Sequence, residues 1–170
     1  DKATIEQIFA LADKMRLVRY DSEILEDKIM VTLFYEPSTR TRLSFEMAML
    51  RLGGKVISTE NARAFSSAAK GESLEDTVRV ISGYGPDVIV LRYDEKGGAE
   101  KAQPYSSVPI INAGDGNGQH PTQALLDLYT LERELGRMDD LDIVMVGDLA
   151  NGRTVRSFCY FLAKHYPSNR

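Results

Sequence analysis

Hydrophobic positions along this chain follow two periods in turn. Residues 29–35 (IMVTLFY) form a short, continuous apolar run rich in β-branched and aromatic side chains, the pattern of a buried strand. Similar runs stand at 55–58 (KVIS), 88–91 (VIVL), 108–112 (VPIIN) and 141–146 (LDIVMV). Between them the spacing becomes helical. Ile5, Ile8, Phe9, Ala12 and Met15 share one side of a helix over 4–19. Leu43, Met47 and Leu50, with Phe45, Ala48 and Leu52, mark a helix over 39–52. Further helices are expected over 73–84, with Ser73 as its cap, weakly over 99–103, strongly from Pro121 to Gly136, and over 153–164. Pro37, the pair Gly53-Gly54 and the pair Gly85-Pro86 punctuate the sequence. Pro109 puts its strand at an edge or at a strand start, whereas 88–91 reads as a strand buried on both faces.

One helix followed by alternating strands and helices defines an α/β chain. The expected architecture is a parallel sheet flanked by helices on both faces, joined by right-handed crossovers. Four strands complete one domain over residues 1–136. The polar turn Arg137-Met138-Asp139-Asp140 then leads into a fifth strand and helix, read as the beginning of a second α/β domain over 137–170. A lone strand and helix cannot bury a core, so this tail should be loosely held unless it packs on the first domain. The chain opens on Asp1 in what reads as a helix start and stops just after a helix, as a piece of a longer protein would.

Composition narrows the picture. The 170 residues are 43% hydrophobic with a net charge of −4, enough for one good core, and the acidic balance argues against a nucleic-acid partner. One cysteine, Cys159, excludes an internal disulfide framework, and its apolar setting predicts a packed thiol. No apolar stretch is long enough to span a membrane and no signal peptide is evident, so a soluble, cytoplasmic protein is the default expectation.

The chemistry concentrates at the carboxyl ends of the expected strands, where open parallel sheets bind ligands. After the first strand, Ser38-Thr39-Arg40-Thr41-Arg42 opens a helix. Free N–H groups, hydroxyls and guanidinium groups meet there, a combination suited to phosphate. After the second strand comes a loop over 60–71, rich in small residues, with Ser66 and Lys70. Arg92 follows the third strand, His120 and Gln123 the fourth, and Arg153 the fifth. Each has a plainer reading. Lys70 could be a solvated loop lysine, Arg92 could pair with Asp94 or Glu95, His120 could be a structural helix cap, and Arg153 could face solvent, although a cation at a helix start opposes the dipole. No metal-ligand spacing, cysteine nucleophile or nucleotide-binding glycine motif accompanies them. The set looks built to gather anions and to stabilise developing negative charge, as in group transfer from a phosphorylated donor.

The motifs Ser38-Thr39-Arg40-Thr41-Arg42 with Phe45-Glu46, His120-Pro121-Thr122-Gln123 and Leu126-Asp127 resemble the transcarbamylases. Glu36 before Pro37, Ser66 through Lys70-Gly71-Glu72, and Gly147-Asp148-Leu149 with Gly152-Arg153-Thr154 resemble the aspartate carbamoyltransferase catalytic chain within them. The resemblance covers this whole chain but only about the first half of a usual catalytic chain. It implies a carbamoyl-phosphate-binding domain and transfer of the carbamoyl group to L-aspartate in pyrimidine biosynthesis, with no cofactor or metal. Ser38, Thr39, Arg40 and Thr41 would hold the phosphate. Arg92 would meet phosphate and carbamoyl oxygen. Thr41, Arg92 and His120 would polarise the carbonyl, and Arg40 would ease phosphate departure. Gln123 would position the carbamoyl amino group, and Arg153 would grip the aspartate α-carboxylate. Ser66 and Lys70 would serve a neighbouring subunit's site in a homotrimer. A regulatory chain is a possible further partner. The remaining aspartate contacts lie in the missing half, so the fragment should bind carbamoyl phosphate and turn over little or nothing. The rivals are an ornithine-type carbamoyltransferase and a non-catalytic anion-binding domain.

Overall fold

The computed structural model describes residues 1–18, 22–62 and 70–170. The elements are α1 (Lys2–Arg16), β1 (Ile29–Phe34), α2 (Thr39–Arg51), β2 (Lys55–Thr59), α3 (Leu74–Gly83), β3 (Val88–Tyr93), α4 (Gly98–Ala102), a 3-10 turn (Gln103–Tyr105), β4 (Ile110–Asp115), α5 (Pro121–Leu135) and α6 (Arg153–His165). They pack as two compact units, residues 18–116 and residues 1–17 with 117–170. This division places α5 with the tail, whereas the sequence reading set its boundary at 136.

In the 18–116 unit the four strands are all parallel, in the order β2-β1-β3-β4. Alternation along β1 and β3 sends two sets of side chains to opposite faces. Val31, Leu33, Tyr35, Ile89, Leu91 and Tyr93 join Leu74 and Val78 of α3 and Ala102 of α4 in one core. Met30, Phe34, Val90 and Ala113 pack with Met49 of α2 in the other. Each fully buried Leu or Ile contributes about 1.5–3 kcal/mol. β3, with Ile89, Val90 and Leu91 buried, is one of the two inner strands of the sheet, as its apolar run predicts.

The starts of β1 and β3 are locked together. The Asp87 N–H donates to the Ile29 carbonyl (2.8 Å), and the Asp87 carboxylate accepts from Ile29 N–H (2.8 Å) and from Lys28 Nζ (2.9 Å). Gly53 takes φ +84° just after α2, the left-handed cap that the Gly-Gly pair predicts.

Several local expectations shift. β4 begins after Pro109, at the sheet edge, and runs to Asp115, three residues past the expected end at 112. The register with β3 explains the change: pairing continues to Tyr93 and Asp115 through an irregularity after Leu91. β3 likewise continues through Arg92 to Tyr93. α1 ends at Arg16, with Leu17 as its cap, short of the expected residue 19.

In the other unit α1, α5 and α6 surround Ile5, Phe9, Leu128, Met138, Leu162 and Tyr166. Tyr129 Oη donates to Asp13 Oδ1 (2.6 Å), which also pairs with Arg133 (3.0 Å), tying α1 to α5. Residues 138–166 are therefore held by α1 and α5 and do not trail free. The strand expected over 141–146 does not form. Its unit offers only helices as neighbours, so the backbone finds no ladder. Ile143 N–H instead donates to the Arg170 carbonyl (2.8 Å) and Arg170 N–H to that of Leu141 (2.9 Å), while Val144 and Val146 stay exposed at 87% and 93%. Cys159 is also exposed, on the outer side of α6, contrary to the packed thiol expected from its apolar neighbours. The helix period turns Leu162 and Ser157 inward and leaves Cys159 and Tyr160 outside.

Candidate functional site

The sheet order fixes where a ligand can enter. From β1 the chain crosses to β2 on one side, then returns past β1 to β3 on the other. The carboxyl ends of β1 and β3 thus flank the topological switch point, the crevice where parallel sheets bind ligands. In register, Phe34 of β1 lies beside Arg92 of β3, and Tyr35 N–H donates to the Arg92 carbonyl (2.9 Å).

Two predicted features meet there. The first is the turn over 38–41, which follows β1 and opens α2. Thr39 and Arg40 are exposed, and Ser38 and Thr41 are half-buried. Ser38 occupies the N-cap position, but its hydroxyl makes no capping bond to the helix. An α-helix leaves the N–H groups of its first turn without intrahelical partners, and its dipole is positive there, so this end suits an anion. The second feature is Arg92, only 8% exposed. Its Nε and Nη2 both lie 2.7 Å from Glu36 Oε1, and Nη1 donates to the Ala113 carbonyl (3.3 Å). The guanidinium is thereby held by Glu36, just past the end of β1, and by Ala113 of β4.

Arg42 does not join this set. Its Nη1 donates to Ser58 Oγ (3.0 Å) and its Nη2 to Glu60 Oε2 (2.9 Å). Both groups lie on the β2 side of β1, away from β3. Glu46, one turn along α2, stands 3.6 Å from Nη1. The turn therefore offers one exposed guanidinium, that of Arg40, where the sequence suggests two.

Lys70 is exposed, and Ser66 lies outside the described residues. The other candidates belong to the second unit. His120 caps α5 and is buried, with its Nδ1 3.4 Å from Thr122 Oγ1. Gln123 Nε2 donates to Asp127 Oδ1 (2.9 Å) on the same helix. Arg153 is the first residue of α6 and is half-buried.

Two residues acquire roles that sequence reasoning did not give them. Glu36 serves as the carboxylate partner of Arg92, 56 positions away. Ser157, fully buried on α6, accepts the His120 N–H (2.8 Å) and donates to Gln119 Oε1 (2.5 Å), so α6 fixes the segment that carries His120. Arg156 reinforces it with bonds to the Asn117 and Ala150 carbonyls. The only signal for Ser157 is a small polar residue on the inward face of an amphipathic helix.

Among the described residues no cluster of three His, Cys, Asp or Glu side chains could hold a metal ion. The site presents helix-start N–H groups, hydroxyls and guanidinium groups. Such groups bind a phosphate and stabilise oxyanion charge.

Fold and geometry together define an α/β domain with a four-stranded parallel sheet, whose β1/β3 switch point carries groups suited to an anion. Residues 1–133 match the family model "Aspartate/ornithine carbamoyltransferase, carbamoyl-P binding domain". The chain belongs to the aspartate/ornithine carbamoyltransferase family, and the two relatives that follow are named aspartate carbamoyltransferases. It is 60% identical to aspartate carbamoyltransferase 1, chloroplastic, of Pisum sativum, over 97% of this chain and 43% of the relative. It is 57% identical to the aspartate carbamoyltransferase catalytic subunit of Methanocaldococcus jannaschii, over 93% of this chain and 53% of the relative. Aspartate transcarbamoylase from Trypanosoma cruzi, solved with carbamoyl aspartate and phosphate, superposes with a TM-score of 0.88 at 40% identity, covering 98% of this chain and 54% of that one. The solved M. jannaschii catalytic subunit gives 0.86 at 55% identity, covering 97% and 54%. The chain thus spans about half the length of the relatives it matches.

Proposed function

We propose that this chain supplies the carbamoyl-phosphate half of an aspartate carbamoyltransferase. The observation that carries the reading is the pairing of the 38–41 helix start with the buried Arg92 guanidinium on adjacent parallel strands. A T. cruzi relative solved with carbamoyl phosphate and aspartate supports the choice of ligands.

In the proposed reaction the amine of L-aspartate attacks the carbamoyl carbon. A C–N bond forms, the tetrahedral oxyanion collapses, and the C–O bond to phosphate breaks. The proton that the amine loses goes to the departing phosphate, and N-carbamoyl-L-aspartate and phosphate leave. Ser38, Thr39, Arg40 and Thr41 hold the phosphate, and Arg40 offsets charge as it departs. Thr41, Arg92 and His120 take the developing charge on the carbamoyl oxygen. Gln123 orients the carbamoyl amino group and Arg153 receives the aspartate α-carboxylate. Ser66 and Lys70 reach the site of a neighbouring subunit in a homotrimer. The product makes the enzyme a step of pyrimidine biosynthesis, and a regulatory chain is a candidate further partner. A cytoplasmic location belongs to the same proposal. Alone, the 170-residue chain binds carbamoyl phosphate and turns over little, because further aspartate contacts are expected from the half of the fold it does not include.

Calorimetric titration with carbamoyl phosphate tests the reading. The chain should bind it, and Arg40→Ala should weaken binding by about 10–100-fold, the worth of one charge-assisted contact. Equal heats from the two proteins would overturn the assignment. Light scattering tests the assembly: a strict monomer with full activity in the complete protein would exclude shared sites.

A further inference from the structure

We propose that Arg42 is a positioning residue for the phosphate turn, acting with Glu60, and not a phosphate ligand. The inference rests on the carbamoyl-phosphate reading of residues 38–41. Arg42 sits in the first turns of α2, where a cation opposes the helix dipole and where its neighbour Arg40 faces solvent. Its side chain is turned away and mostly covered, 19% exposed.

Four groups explain its orientation. Glu60 Oε2 accepts Nη2 at 2.9 Å and Ser58 Oγ accepts Nη1 at 3.0 Å. Ser58 Oγ in turn donates to Glu46 Oε1 (2.6 Å), which also accepts from the fully buried Thr32 Oγ1 (2.9 Å). One network thus ties the start of α2 to the middle of β1, to β2 and to the residue just beyond β2. Two carboxylates next to the guanidinium would repel a phosphate dianion brought to it. The same carboxylates offset the unfavourable placement of the cation at the helix start. The network holds the opening turn of α2 at a fixed height above the sheet, which sets where its N–H groups and the Ser38, Thr39 and Thr41 hydroxyls point.

The test is inorganic phosphate binding by calorimetry, with Arg42→Ala, Arg42→Lys, Glu60→Gln and the Arg42→Ala/Glu60→Gln pair. Positioning predicts that Arg42→Ala and Glu60→Gln each weaken phosphate about 5–20-fold and that the double variant is no worse than the weaker single, since both break one strut. A ligand role predicts the opposite for Glu60: its neutralisation would free Arg42 and tighten phosphate. Tighter or unchanged binding in Glu60→Gln overturns the proposal. So does wild-type affinity in the Arg42 variants with only a lowered melting temperature, the mark of a merely structural pair. If Arg42→Ala does not fold, Arg42→Lys, which keeps the charge and loses the fork, and Glu60→Gln carry the test. In the complete enzyme, Arg42→Lys should raise KM for carbamoyl phosphate several-fold and leave KM for aspartate unchanged. Arg40→Ala is the control: retained phosphate binding there defeats the carbamoyl-phosphate reading itself, whatever Arg42 does.

Discussion

Arg92 and Glu36 face one another across the ends of β3 and β1, with two guanidinium nitrogens 2.7 Å from a single carboxylate oxygen. The pair holds the largely buried cation in place and also competes with an incoming anion for it. Replacing Glu36 with Gln should leave the guanidinium near its position but remove the rival charge. Phosphate should then bind more tightly, by up to about tenfold, given the usual worth of a charge-assisted contact. Arg92→Ala should lower phosphate affinity by at least as much. Titration calorimetry of both variants checks the two directions.

Ser157 links α6 to the segment carrying His120 through two short bonds. Ser157→Ala removes a fully buried hydroxyl that serves one donor and one acceptor. A loss of about 1–3 kcal/mol in unfolding free energy is expected. Urea denaturation measures it, and an unchanged midpoint would contradict the bonding described.

The Asp87 carboxyl is held below the usual aspartate range, first by the Lys28 ammonium and then by the Ile29 N–H. Its folded pKa lies below its unfolded one, so its contribution is complete above the ordinary aspartate range. That contribution is lost as pH falls through the depressed folded pKa. Asp87→Asn should therefore lower the melting temperature at neutral pH and converge with the parent in strong acid. Thermal melts across an acid series would show the convergence. A gap independent of pH would mean that backbone bonding and not charge carries the lock.

Gly53 and Gly136 both adopt the left-handed conformation after a helix, but in different surroundings. A Cβ on Gly53 would come 2.6 Å from the Ser22 carbonyl oxygen, whereas one on Gly136 meets nothing within 4 Å. Gly136→Ala should cost only the conformational penalty, about 1–2 kcal/mol, and Gly53→Ala clearly more because backbone must move. Paired denaturation curves decide the order.

Leu91 lies in β3, one of the two inner strands, and is fully buried. Leu91→Ala should cost about 2–5 kcal/mol through lost transfer energy and the cavity left behind. A shift in the urea midpoint without a change in slope would identify it as a pure stability effect.

Features whose cause is local can be read from consecutive residues alone. Apolar runs and helical spacing located β1 to β4 and the long helices, because burial periodicity is written in consecutive residues. The helix start over residues 38–41 was legible for the same reason: a strand, a breaker and a helix start are contiguous, and so are the hydroxyls and the arginine beside them. Tertiary structure decided what depends on partners distant in the chain. The β2-β1-β3-β4 order, absent from any local pattern, put Arg92 beside the turn and gave it Glu36. It also drew Arg42 to Ser58 and Glu60 on the opposite side of β1. The run over 141–146 has a strand's composition yet forms none, since a strand is completed by a neighbouring backbone and its unit supplies only helices. Cys159 is exposed for a related reason: apolar neighbours in sequence are not neighbours on one face of a helix. Hydrophobic pattern specifies an element. Pairing, which costs chain entropy and selects among distant groups, specifies where its side chains act.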